Sequence, residues 1–197
     1  MNTLKAEKRS MDVKAKKLRR EGFVTGNLFG REIEGSIPLK FTKKEIEVLL
    51  KNNNKGSQVM LELDGKTYDA LIKEVDYNPL AHTVEEVDFQ ALVSNEMVHS
   101  TAEIILENEE KVLSGVLQDE LKEVAYKALP ADLVDKIKVD VAGMKIGDTL
   151  RVKDLEIAKN KNIHITTDLE AVIATVTAVH NVVPETETET EETAEEK

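Results

Sequence analysis

The residues with the most evident chemistry in this chain are cations. Lys14-Ala15-Lys16-Lys17-Leu18-Arg19-Arg20 is the densest basic run, and residues 1–31 hold nine Lys or Arg (5, 8, 9, 14, 16, 17, 19, 20, 31) against Glu7, Asp12 and Glu21. That stretch carries +6 in a protein whose total is −11. Positive charge segregated in this way is a directed electrostatic feature whose natural partner is a polyanion; the plainer alternative is a solvated helix face. Glycines at 22, 26 and 30 follow, with the aromatic Phe29 among them. Cations on a short helix can straddle phosphates, and backbone at Gly26 or Gly30 can come close to a sugar edge. A phosphate-cradling loop would need Lys-Ser/Thr after its last glycine, whereas Arg31-Glu32 stands there.

Other chemistries find little support. There is no cysteine, which removes disulfides, thiolate zinc sites and cysteine nucleophiles together. His82, His99, His164 and His180 have no metal-ligand spacing, and no serine sits in a nucleophile-elbow pattern. The reading is of a non-enzyme with no cofactor and no small-molecule substrate. The start of the chain has no apolar signal-like core, and the apolar run Ala171–Val179 is too short to span a bilayer. The expectation is a cytoplasmic protein without a membrane partner.

The elements that must position the cations are mostly strands. Lys14 to Glu21 favours a helix of about two turns, too short to persist in water without support. The stretch from Gly22 to Gly30 reads as turns or as points of close backbone approach. Thr42-Lys-Lys-Glu45 is a capping box for a short amphipathic helix through Ile46, Leu49 and Leu50. Asp64-Gly65 is a hairpin turn between Val59–Leu63 and Tyr68–Ile72. Val84–Leu92 reads as a further strand. Beyond the polar Ser94-Asn95-Glu96, strands are expected at Thr101–Glu107, Val124–Leu129, Ile137–Val141, Thr149–Val152 and Ala171–Val179. Low aromatic content and the absence of Trp mean that the core is built mainly from Val, Ile, Leu and Ala.

Charge divides along the same lines. Residues 1–92 sum to +1, residues 93–183 to −6, and residues 184–197, a Glu/Thr repeat with almost nothing to bury, to −6. The predicted organisation is an N-terminal domain over 1–92, a C-terminal β domain over 93–183 and a disordered acidic tail over 184–197.

The order of short motifs resembles the bacterial Ctc family of general-stress and large-subunit ribosomal proteins. In the first half the carriers are Ala6-Glu7-Lys8-Arg9, Lys16-Lys17-Leu18-Arg19-Arg20-Glu21-Gly22, Phe29-Gly30, Asp64-Gly65-Lys66, Asn78-Pro79 and Val87-Asp88-Phe89. In the second they are Ser114-Gly115-Val116-Leu117, Leu129-Pro130-Ala131-Asp132, Ile137-Lys-Val-Asp140-Val and Ile146 through Leu155. The resemblance implies a mainly β fold: a six-stranded barrel-like N-terminal domain with short helices, then a second, mostly β domain. It also implies binding of 5S ribosomal RNA within the large ribosomal subunit, among other ribosomal proteins, in translation. Carried over, Arg9 and Arg19 match RNA-contacting arginines. Lys16 and Lys17 stand where arginines are usual, which keeps charge and loses the bidentate fork. Phe29 replaces a tyrosine, and Asp88 matches an acceptor for base amino or imino groups. Glu86 departs most, replacing a histidine donor by a carboxylate that can only accept.

The expected RNA-contacting set is therefore Arg9, Lys14, Lys16, Lys17, Arg19, Arg20, Phe29 and Asp88, with affinity reduced by the departures. The alternative is a divergent stress-induced adaptor with weakened RNA binding, acting through protein contacts of its acidic C-terminal domain. The first reading requires the cations to face outward together, untied by the protein's own carboxylates.

Overall fold

A computed structural model describes residues 3–112 and 115–178. The tail expected over 184–197, together with Val179 and His180, lies outside the described residues.

Six strands close a barrel: β1 (Thr3–Lys8), β2 (Phe23–Phe29), β3 (Ser36–Thr42), β4 (Gln58–Leu63), β5 (Lys66–Asn78) and β6 (Thr83–Ala91). Their order around the wall is β1-β3-β2-β6-β5-β4, and β4 returns to pair in parallel with β1. Alternation explains why the sheet closes around a dry centre. Val59, Leu61 and Leu63 of β4 point inward with Val87 and Phe89 of β6 and Val24 and Leu28 of β2. Phe41 and Phe89 meet at 5.5 Å between ring centroids. Asp64 and Gly65 join β4 to β5 with φ of 51° and 77°, the two positive angles that a tight twisted hairpin requires.

Two helices decorate the barrel. Helix α1 (Ala15–Arg20) precedes β2, and α2 (Lys43–Asn52) follows β3. Thr42 Oγ1 accepts from the Glu45 N–H while the Glu45 carboxylate accepts from the Thr42 N–H, so the expected capping box is formed. Ile46 and Leu49 turn into the barrel core.

The strand β2 corrects the expectation of turns over residues 22–30. Gly26 lies inside it, and a Cβ there would stand 2.0 Å from the Val87 carbonyl oxygen. The glycine is a space requirement in a parallel pairing of β2 with β6, so the alternative reading of close backbone approach holds at this residue.

The second domain begins with β7 (Val98–Glu107), followed by β8 (Val116–Asp119), β9 (Glu123–Ala128), β10 (Lys136–Asp140), β11 (Thr149–Arg151), β12 (His164–Ile165) and β13 (Val172–Thr177). One sheet has the order β10-β7-β9-β12 and the other β11-β13-β8. They enclose a second core that includes Tyr126, Val152, Leu155 and Ile173. Among the described residues no helix is long and apolar enough to cross a membrane.

Candidate nucleic-acid interface

Helix α1 is only six residues long, and three things hold it. Leu18, 7% exposed, anchors it to β2. Lys17, Arg19 and Arg20 lie in its last turn, where cations complement the carbonyl end of the helix dipole. Arg19 then reaches across to β6. This leaves Lys14, Lys16, Lys17 and Arg20 exposed at the surface. Among the described residues Lys14, Lys16 and Arg20 have no carboxylate partner, and Lys17, with its side chain 70% exposed, has Glu21 at 3.8 Å. Lys16 and Arg20, one turn apart, line a cleft of about 380 Å³ with Arg19, Phe23, Lys43 and Glu85.

Arg19 is different. Its Nε donates to the Glu85 carbonyl at 3.1 Å and its Nη1 meets the Glu85 carboxylate at 3.0 Å. Its Nη2 donates to the Glu86 carboxylate at 2.9 Å and to Thr25 Oγ1 at 3.4 Å. The expectation that the basic run is untied by the protein's own carboxylates therefore fails at Arg19 while holding for Lys14, Lys16 and Arg20. The physical reason is register: Thr25 of β2 pairs with Glu86 of β6, which brings the β6 carboxylates beneath the end of α1.

The same register lays out the rest of the face. Val24 and Leu28 point into the barrel, so Thr25, Asn27 and Phe29 share the opposite side of β2; likewise Glu86, Asp88 and Gln90 share the side of β6 opposite Val87 and Phe89. Asp88 accepts from the Asn27 backbone N–H at 2.9 Å and from its side-chain amide at 3.0 Å, and the same amide donates to Glu86 at 3.3 Å. Phe29 is half-buried at the far end of β2, paired in register with Gln90. It stands four residues, about 13 Å, along the strand from Thr25. Arg9 turns inward: it is half-buried, and its Nη2 donates to the Val13 carbonyl at 3.1 Å, bracing the loop into α1. The expected set thus divides into four exposed cations on α1 and at its N-cap residue Lys14, a clasped Arg19, an inward Arg9, and Asp88 and Phe29 further along the wall.

Sequence reasoning missed Asn27, Thr25 and Glu85 as members of this face. For Thr25 and Asn27 the signal was the alternation Val24-Thr25-Gly26-Asn27-Leu28-Phe29, readable once this stretch is taken as a strand; Glu85, near the start of β6, lies outside that run.

Beside the basic cleft lies an acidic one of about 210 Å³, lined by Glu74, Asp76, Glu86 and Asp88. Glu74 is directly opposite Asp88 and Asp76 opposite Glu86 across the β5–β6 pairing. Such like-charge pairs repel, and they also repel phosphate. No group of carboxylates and histidines among the described residues is arranged to hold a metal ion.

Two family models match the chain: the ribosomal L25p family over residues 4–89 and the C-terminal domain of ribosomal protein TL5 over residues 97–180. A large ribosomal subunit protein bL25 from Carboxydothermus hydrogenoformans is 32% identical over 190 residues, covering 92% of this chain and 94% of that protein. This chain belongs to the L25 family. The bL25 proteins of Akkermansia muciniphila (31% identical, 90% of this chain and 89% of the relative) and Caldanaerobacter subterraneus subsp. tengcongensis (29%, 98% of each) are similar along nearly the whole length. The Ctc resemblance drawn from the motif order is thereby established, and the L25 family is one of structural ribosomal proteins, not of enzymes.

Proposed function

We propose that the chain is a structural constituent of the large ribosomal subunit that binds 5S rRNA through the outer wall of its N-terminal barrel, in the cytoplasm. The observation that carries this is the presentation of Lys14, Lys16, Lys17 and Arg20 on one braced helix and its N-cap, in a chain similar from end to end to large-subunit proteins. Those four cations supply phosphate contacts, which position an RNA without reading its sequence. Phe29 offers a ring for stacking further along β2. Asp88 keeps acceptor capacity beyond its bonds to Asn27 and so can take a base amino or imino proton. The acidic second domain faces protein neighbours or solvent, away from the phosphates.

A specific observation favours a second reading, a protein-binding stress adaptor with weak RNA affinity: the carboxylates Glu74, Asp76, Glu86 and Asp88 stand directly beside the basic cleft. Gradient sedimentation of cell extract separates the two. Co-migration with large subunits in moderate salt is expected, and a pool that stays free of subunits in every condition would favour the adaptor.

A further inference from the structure

Of the five N–H groups on a guanidinium, the Arg19 contacts use four, and all of their acceptors come from Thr25, Glu85 and Glu86. Two carboxylates on one arginine overcompensate its charge, leaving a local net of −1. A brace for α1 would need only one of them. Each carboxylate takes one terminal nitrogen, Glu85 at Nη1 and Glu86 at Nη2, the two donors that a phosphate bound end-on would use with two of its oxygens. The group is not sealed: the Arg19 side chain is 29% exposed, and those of Glu85 and Glu86 are 31% and 34% exposed. Ion pairs this open to water are weak enough to be exchanged for another anion. The carboxylates have amide partners of their own to rest on, Asn78 donating to Glu85 at 2.7 Å and Asn27 to Glu86 at 3.3 Å, while the Glu85 carbonyl and Thr25 keep the arginine in place.

We propose that Glu85 and Glu86 are built-in competitors for RNA phosphate at Arg19, and that their clasp sets the affinity of the interface. This rests on the reading of the barrel wall as an RNA-binding face. In the resting protein, RNA meets the exposed cations of α1. Arg19 joins only where phosphate displaces the two carboxylates, and because that displacement takes back part of the binding energy, few wild-type complexes gain the contact. Glu86 is thus an affinity-determining residue that acts through Arg19.

The test compares wild type with Glu85→Gln/Glu86→Gln, and with that pair combined with Arg19→Gln, each titrated with 5S rRNA between roughly 50 and 200 mM salt. Folding is checked by circular dichroism and melting, and Glu86→Gln alone carries the comparison if the double variant does not fold. The expected result is a gain for the Gln variant of roughly three- to ten-fold at the lowest salt, because a partly exposed pair is released. Its log–log salt slope should steepen by about 0.7–0.9, one added phosphate contact. Both gains should vanish when Arg19 is also replaced. Equal slopes in all three proteins, or a gain that survives without Arg19, would overturn the clasp and leave Arg19 as a brace. A wild type that binds and is weakened by Lys16→Glu, beside an unchanged Gln variant, would sink the clasp alone. Absence of salt-dependent binding in every one of these proteins would sink the RNA reading with it.

Discussion

The cations of α1 were legible as a set, because charge and helix propensity are local properties of the sequence. Which of them are free was not. Arg19 meets acceptors 66 and 67 positions away, and only the β2–β6 register brings them together. Arg9 is a similar case: its inward turn depends on how the loop to α1 folds back to offer the Val13 carbonyl. The four exposed cations make the sharpest residue-level expectation. Arg20→Glu should weaken binding of 5S rRNA evenly across RNA sequences and lower the salt slope by about 1, because one phosphate contact is lost and no base readout is touched. Anisotropy titration checks this. An Arg20→Glu variant with an unaltered slope would place the phosphates elsewhere.

At the scale of elements, the hairpin β4–β5, the capped helix α2 and five strands of the second domain followed from local pattern. Two barrel strands did not. In β2 the glycines mimic turn punctuation, yet Gly26 serves a close approach that lies across the sheet. In β3, Pro38 argues against a strand, but it lies just past the last β1 pairing at Lys8↔Leu39. The short β8 and β12 hold too few residues for any period to register. In the second domain one side chain pins an element visibly. The fully buried Tyr126 of β9 donates its phenol proton to the Val134 carbonyl and accepts from the Val134 N–H, both at 2.7 Å. Tyr126→Phe should cost about 1–3 kcal/mol, because it strands both backbone groups. Burial also pushes this phenol up from its ordinary 10.0, so the folded protein holds the proton longer than the unfolded chain. The stability it lends is therefore full below pH 10.0 and declines as pH rises past that value. Denaturant unfolding across alkaline pH should show this decline in wild type and a smaller one in the Phe variant; identical curves would contradict the pin.

On the scale of the whole molecule, the barrel and the second domain touch through polar groups. Lys73 donates to the His99 carbonyl at 2.7 Å, Ser57 to Asp135 at 3.2 Å, and Asn54 to Glu103. Burial lowers the affinity of the Lys73 amine for its proton, with the neighbouring Lys55 adding to the effect. At the centre of this junction is Gly56, with φ +88° and room for no side chain, since a Cβ would stand 1.9 Å from the Thr101 carbonyl. Gly56→Ala should therefore lose at least about 1 kcal/mol and push the two domains apart, seen as a lower melting temperature and a larger radius of gyration in X-ray scattering. Unchanged melting and scattering would show that the junction has slack. The junction matters because it sets where the acidic domain lies relative to the barrel wall proposed to bind RNA. Whether the basic helix engages RNA phosphate is read directly from the salt dependence of 5S rRNA binding by the unmodified protein. With the four exposed cations of α1 and its N-cap engaging phosphates, the log–log slope should have a magnitude of about 3. A slope near zero, or binding no tighter than to an unrelated RNA of the same length, would contradict it.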